Sequence, residues 1–141
     1  MNPYTIWESE LIRISHSYDF RLPGYLFVEN RIGAPNLESF PPNTHGQLGE
    51  ALRLAEHLVR KIVSPERVYI LKFGESDERV HFHVIPRTRK LLDAYLSSEN
   101  DEPPFNGALI TAWVWKNADR LGHTMEEINA FVQRARAESA T

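Results

Sequence analysis

Two histidines separated by a single residue, His81 and His83, are the side chains of this sequence best placed to do chemistry. The residues around them, 80–86, alternate in polarity and predict a β-strand, called here the histidine strand. Because side chains on a strand alternate between its two faces, both imidazoles are expected on one face. Phe82 and Val84 then point the other way into a core, which would hold the imidazoles rigidly.

Two interpretations follow from the histidine pair alone. The first is an exposed pair on an ordinary half-buried strand. The second is a metal site, because histidine pairs on strands commonly bind zinc, iron or manganese. Residues 85–90 contain no acidic ligand, and the only later histidine, His123, lies in a predicted helical region. The sequence therefore disfavours the metal site and leaves the exposed pair open.

Several other segments have the apolar pattern and turn signals of β-strands. A hairpin is predicted within residues 4–15, a buried strand over residues 25–28 and another strand over residues 68–73. Pro23 and Gly24 mark a turn just before the second of these. Together with the histidine strand and the helices, these segments predict an α+β fold with a mainly antiparallel sheet.

One long helix is predicted over residues 44–63, between the two last-named strands. Thr44 and Gln47 have the spacing of a capping box, with the threonine at the N-cap. Apolar residues at helical spacing predict a buried stripe on this helix, made of Leu48, Leu52, Ala55, Leu58, Val59 and Ile62. Further helices are predicted over residues 90–98, 108–119 and 124–138.

The histidine strand resembles the signature of the histidine triad superfamily, His-φ-His-φ-His-φ-φ, in which φ is an apolar residue. Residues 79–87 read Arg-Val-His-Phe-His-Val-Ile-Pro-Arg, and they are closest to members whose motif continues into Val-Ile-Pro-Arg. The alignment puts His81 on the family's middle, nucleophilic histidine and His83 on its third. Residues 23–28 are similar to the family's Pro-Gly-His-φ-φ-Val strand, with Tyr25 in place of a frequent histidine.

The resemblance implies a fold like that of the histidine triad proteins and an activity on nucleotides. In the family, the middle histidine attacks the α-phosphate and forms a nucleotidyl-histidine, and water or another acceptor then releases the nucleotide. His81 is therefore the expected nucleophile, and His83 is expected to donate to the phosphate or to the leaving oxygen. Dinucleoside polyphosphates, nucleoside phosphoramidates and related nucleotides are the implied substrates, with diadenosine polyphosphate hydrolase-like members nearest.

The resemblance also indicates which side chains contact the substrate. Arg79 stands at the family's first histidine, and together with Ser76 it is expected to donate to phosphate oxygens. Ser17 falls near a position at which relatives carry Asn or Asp toward the ribose. Arg87 begins a small basic cluster that is a candidate for attracting a polyphosphate tail. The alternative for both arginines is a solvated surface.

The turn before the histidine strand departs from the family pattern. Residues 74–78 are shorter than the usual phosphate loop, lack its Gly-Gln, and contain Glu75, Asp77 and Glu78, which repel a phosphate unless they point away. These departures favour an alternative function, a nucleotide-binding module of the same fold with little or no catalysis. No tightly bound cofactor or transition metal is expected in either case, although magnesium on the substrate's phosphates is compatible with both.

Amino-acid composition narrows the classes of protein and of function that the sequence allows. The chain has 141 residues, of which 42% are hydrophobic and 25% charged, the balance of one globular domain. Cysteine is absent, which excludes a disulfide framework, a thiolate zinc site and a cysteine nucleophile. The net charge of −3 argues against binding to polymeric nucleic acid. Without a signal core or a long apolar stretch, a cytoplasmic location with no membrane partner is expected.

We expect one domain over residues 1–141, with a core of about residues 4–90 and a helical C-terminal extension of about residues 91–141. In that extension, Trp113 and Trp115 are interpreted as packing or interface residues. The chain is expected to be a homodimer, since many members of the family pair through the central helix and an adjoining strand. The competing interpretation is that these apolar residues only complete the core of one chain.

Overall fold

Five strands with alternating side chains form a single antiparallel sheet in the computed structural model, which describes residues 2–141. The strands are β1 (Thr5–Glu8), β2 (Ile12–His16), β3 (Leu26–Asn30), β4 (Arg67–Leu71) and β5 (His81–Arg87). Their order across the sheet is β1-β2-β3-β5-β4, so that the histidine strand, β5, lies between β3 and β4. The predicted α+β class with an antiparallel sheet is confirmed.

Four helices accompany the sheet: α1 (His45–Val63), α2 (Arg89–Ser98), α3 (Gly107–Asn117) and α4 (Met125–Ser139). Each lies within two residues of its predicted bounds. Thr44 is the N-cap of α1 as predicted, but the predicted capping box is wrong. Its hydroxyl donates to the carbonyl oxygen of Pro41 at 2.6 Å and accepts nothing from the first turn of the helix.

The first face of the sheet packs against α1 and α4. The buried residues of α1 are Leu48, Ala51, Ala55, Leu58 and Val59. The stripe is therefore rotated slightly from the predicted one, because Leu52 and Ile62 are only partly buried. Arg136 of α4 donates from Nε to the carbonyl oxygen of Thr5 at 2.8 Å and so holds α4 against the edge strand β1.

The second face of the sheet packs against α2 and α3 over only part of its area. Apolar side chains of both helices surround Tyr25 and Ile85 in a second buried cluster. The end of β5 that carries the histidines extends beyond this cluster and stays accessible. Within residues 2–141, no helix is long and apolar enough to cross a membrane.

A buried histidine fixes the turn that leads into β3. The Nδ1–H of His16 donates to the carbonyl oxygen of Ser17 at 3.0 Å, and its Nε2 accepts from the backbone N–H of Gly24 at 3.1 Å. Gly24 has a φ of 92°, and a Cβ there would lie 3.0 Å from Cγ2 of Val63. Glycine is therefore required at the turn. The neutral imidazole binds the turn and so sets the position of Tyr25, the residue just before β3.

This arrangement predicts a loss of stability in mild acid. Burial lowers the pKa of His16 from 6.5 to about 4, so the unfolded chain binds a proton more readily than the folded one. Stability from this site is complete above about pH 6.5 and falls by roughly 3 kcal/mol as the pH drops to about 4. Urea unfolding across this range measures the loss.

His16→Gln is the matched control for that titration. The variant is expected to be less stable at neutral pH, because the turn loses hydrogen bonds, but its unfolding free energy should vary much less between pH 6.5 and 4. If the variant keeps the full pH dependence of the parent, His16 is not its source.

Candidate active site

The pairing of β3 with β5 determines what surrounds the two histidines. Phe27 lies directly across from His83, and Glu29 lies across from His81. The two imidazoles share one face, with ring centroids 5.4 Å apart, as predicted. Phe82, between them in sequence, packs on the opposite face against the buried apolar residues of the first face, called here the α1 cluster. The two rings therefore project from a strand that is anchored from behind.

His81 has one ring nitrogen bound and the other free. Its Nδ1 lies 2.8 Å from the backbone carbonyl oxygen of Arg79. A carbonyl oxygen can only accept, so Nδ1 of His81 carries the proton in the neutral ring. The Nε2 atom then has an unshared electron pair and makes no hydrogen bond to residues 2–141. This is the electronic state that a nucleophilic imidazole requires.

His83 is bound to the interior of the protein through two aromatic side chains. Its Nδ1 lies 2.7 Å from the hydroxyl oxygen of Tyr25, which in turn accepts the indole N–H of Trp115 at 2.9 Å. Burial, with a smaller effect of the neighbouring His81, lowers the pKa of His83 to about 4. Burial raises the pKa of Tyr25 to about 12. Both groups are therefore neutral at physiological pH.

Two hollows meet at His81. The first, of about 190 Å³, is lined by Tyr18, Asp19, Phe27, Glu29, Asn30, Asp77, Arg79, Val80 and His81. The second, of about 410 Å³, is mainly aromatic and is lined by Asp19, Phe20, Phe27, Phe73, Gly74, Glu75, Ser76, His81, His83 and Trp115. A ligand that occupies both hollows therefore has its middle beside His81.

Arg79 lies at the rim of the first hollow, but its guanidinium group is already paired. It donates from Nε to both carboxylate oxygens of Asp77, at 3.1 and 3.2 Å, and from Nη2 at 2.7 Å. These bonds lower the pKa of Asp77 to about 2. The predicted donor to phosphate is therefore balanced by a carboxylate two residues away.

Two of the predicted substrate-binding residues do not lie with the histidines. Ser17 is buried, and its hydroxyl oxygen accepts from the backbone N–H groups of Asp19 and Phe20 at 3.3 and 3.2 Å, so it stabilises a turn. Arg87 lies at the opposite end of β5, with its guanidinium 5.4 Å from the ring centre of Phe105. Ser76 and Arg79, by contrast, line the hollows.

Sequence reasoning missed the aromatic residues of the site. Trp115 was interpreted as a packing or interface residue, whereas its ring centroid lies 5.8 Å from that of His83 and 5.9 Å from that of Phe73. Trp113, two residues earlier, is buried as predicted. The alternation of β3 could have identified Phe27, because antiparallel pairing brings it to the same face as the histidines. Trp115 had no comparable signal, since a helix far along the chain delivers it.

No group of three His, Cys, Asp or Glu side chains within residues 2–141 is arranged to hold a metal ion. The two imidazoles are the only closely spaced nitrogen ligands in the described site, and their Nδ1 atoms are occupied by Arg79 and Tyr25. That the activity of the protein needs no tightly bound transition metal stays a prediction.

The sequence matches no protein-family model and no curated protein. The structure, however, is similar to solved histidine triad proteins. A member of the family from Bacillus subtilis aligns with a TM-score of 0.57 and 17% identity, over 85% of this chain and 89% of its own. A histidine triad-like protein of Bartonella henselae involved in cell-cycle regulation aligns at 0.55 and 18%, over 93% and 88%. A zinc-bound family protein from Mycobacterium smegmatis aligns at 0.55 and 18%, over 97% and 87%. At these identities the similarity establishes the fold.

Proposed function

We propose that this protein is a histidine triad enzyme that hydrolyses a nucleotide, or transfers its nucleotidyl group, through a covalent intermediate on His81. The observation that carries the proposal is the state of His81. Its Nδ1–H is held by the Arg79 carbonyl, its Nε2 makes no hydrogen bond within residues 2–141, and His81 lines both hollows. The fold shared with histidine triad proteins supports the proposal, and in the sequence resemblance His81 stands on the family's middle, nucleophilic histidine.

In the first step, the Nε2 electron pair of His81 attacks the α-phosphorus and forms a P–N bond. The bond from phosphorus to the leaving group breaks, and the leaving group departs with its electron pair and takes up a proton from solvent. The ring becomes positively charged, and the Arg79 carbonyl stabilises it by accepting the Nδ1–H bond. His83 donates a hydrogen bond to the phosphoryl oxygens or to the leaving atom.

In the second step, water or another acceptor attacks the phosphorus from the opposite side. The P–N bond breaks, its electron pair returns to Nε2 of His81, and the proton of the attacking water is released to solvent. The nucleotide leaves as the monophosphate when water is the acceptor. Splitting one displacement into two easier ones is the advantage of the covalent intermediate.

The charges around the histidines favour a substrate with few phosphates. Asp19, Glu29 and Glu75 line the hollows and form no salt bridge within residues 2–141, and Arg79 is paired with Asp77. A polyphosphate chain would be repelled by these carboxylates. We therefore rank nucleoside phosphoramidates and related single-phosphate conjugates ahead of dinucleoside polyphosphates, and magnesium on the phosphates matters less for the former.

A nucleotide-binding module with little turnover is the second candidate. Arg79 in place of the first triad histidine favours it, because the guanidinium is held by Asp77 and adds no imidazole to the pair. The two functions differ in one measurement, the release of AMP from adenosine phosphoramidate or diadenosine polyphosphates. Binding without AMP release would favour the module.

The central prediction is that His81→Asn abolishes turnover and leaves the fold intact. Asparagine cannot form the P–N bond, so AMP release should fall by at least about a thousandfold. The side chain is half-buried and lies outside both buried apolar clusters, so the urea unfolding midpoint should be nearly unchanged. By mass spectrometry, the parent protein should form an acid-sensitive adduct heavier by one AMP, and the variant should form none.

His57→Asn is the matched control, since His57 is exposed on α1, pairs with Glu138 and lines neither hollow. It should retain parental turnover and adduct formation. Wild-type turnover by His81→Asn on a verified substrate would show that His81 is not the nucleophile.

We also propose a homodimer, which the structure leaves room for. Strand β4 pairs only with β5, so its outer edge is unpaired, and Ile70 on it is 41% exposed. Leu52 and Ile62 of α1 are only partly buried in the single chain. Closing a twofold interface over the edge and these side chains would remove a site of uncontrolled strand pairing.

Sedimentation equilibrium at micromolar concentration tests this assembly. A mass of about twice 16.3 kDa is expected. Ile70→Lys should shift the equilibrium toward the monomer, because it puts a charge on the edge that has to be buried. A mass of 16.3 kDa at every concentration would contradict the dimer.

The protein is expected to be active without a tightly bound transition metal. Elemental analysis of the purified, active protein should find no stoichiometric zinc, iron or manganese, and turnover should survive treatment with a chelator. Loss of turnover on chelation that is restored by zinc, and not by magnesium, would overturn the proposed mechanism.

A further inference from the structure

We infer that Trp115 and Tyr25 form a hydrogen-bonded relay that fixes His83 with its proton on Nε2, so that His83 presents a donor to the substrate. The inference rests on the proposed function for its chemical meaning. The relay itself is a property of three side chains and is testable without substrate. Trp115 and Tyr25 are accordingly positioning residues, since neither transfers a proton or an electron pair to the reacting atoms.

The direction of the relay follows from which groups can donate. The indole nitrogen of Trp115 can only donate, so the Tyr25 oxygen accepts at this contact, whose length is 2.9 Å. The Tyr25 hydroxyl is fully buried, and its own proton therefore needs an acceptor. Within residues 2–141, its only other polar contact is Nδ1 of His83 at 2.7 Å. Nδ1 of His83 is thus the acceptor, and the ring's proton lies on Nε2.

Packing holds the relay in this direction. The ring of Tyr25 stacks on Phe20 at a centroid distance of 5.3 Å and lies within the apolar cluster under α2 and α3. The ring of Trp115 contacts Phe73 edge-on. Tyr25 is fully buried and cannot turn its hydroxyl toward water without leaving this cluster. Trp115 is 36% exposed, and its ring is held by contacts with Phe73 and His83. The hydrogen bonds are therefore preorganised and do not form only on binding.

The relay gives the two imidazoles opposite tautomers. The Arg79 carbonyl holds the proton of His81 on Nδ1 and leaves an electron pair on Nε2, whereas Tyr25 holds the proton of His83 on Nε2. One ring is thereby prepared to attack phosphorus and the other to donate to the oxygen that gains charge. The low pKa of His83, about 4, keeps that donor neutral, so it adds no positive charge beside the nucleophile.

Nitrogen NMR of the histidine rings tests the relay directly. In protein labelled at the ring nitrogens, at neutral pH and without ligand, His83 should show a protonated Nε2 and an unprotonated Nδ1, and His81 the reverse. Tyr25→Phe should convert His83 to a mixture of tautomers, while His81 keeps its pattern. Tyr95→Phe is the matched control, because it removes the hydroxyl of another buried tyrosine, which donates to Asp101 and lines neither hollow.

Steady-state kinetics test whether the relay contributes to catalysis. Tyr25→Phe and Trp115→Phe are expected to lower kcat about three- to tenfold with a smaller change in KM, as for the loss of one hydrogen bond that strengthens in the transition state. Trp113→Phe is the control for Trp115→Phe, since its indole donates to Ser98 instead. Far-ultraviolet circular dichroism should be unchanged in these three variants and in Tyr95→Phe.

The results of these experiments distinguish a failure of the relay from a failure of the proposed enzymatic function. A wild-type His83 with its proton on Nδ1 overturns the inference, and so does a Tyr25→Phe variant with unchanged His83 shifts. The expected tautomers in a protein that releases no AMP from any nucleotide support the relay and refute the proposed function. An equal kcat for Tyr25→Phe and Tyr95→Phe on a verified substrate overturns the positioning role even if the tautomer changes.

Discussion

The structure of the site depends on the main-chain pairing of β3 with β5. This ladder sets Phe27 opposite His83 and Glu29 opposite His81, and it brings the start of β3 within reach of a histidine 58 residues away. A slip of one residue would turn every side chain of β5 to the other face. The apolar residues behind the histidines make such a slip unfavourable, because they would then leave the α1 cluster.

Much of this arrangement was predictable from local patterns. The strands, the long helix and the shared face of the histidines follow from the two-residue period of strands and the helical spacing of apolar residues. Arg87 lies away from the histidines because six residues of an extended strand span about 20 Å, so closeness in sequence does not bring it to the same end of β5. Ser17 lies apart from them because its hydroxyl accepts from the backbone of its own turn.

Trp115 was unpredictable for a different reason. Its place beside His83 depends on how α3 packs across the second face of the sheet, and that packing is set by many apolar contacts distributed over α2, α3 and the sheet. No short motif encodes such a contact between residues 25 and 115. The histidine strand can thus be recognised from sequence, whereas the side chains that set the protonation of its second imidazole cannot.

The contact between positions 25 and 115 links two distant parts of the chain during sequence change. A histidine at position 25 could accept from the indole only through one ring nitrogen and would present the other to His83. Loss of the indole alone would leave the phenol without its donor. The two positions are therefore expected to change together, so a lineage that retains tyrosine after Pro-Gly should also retain a tryptophan, or another nitrogen donor, on its third helix.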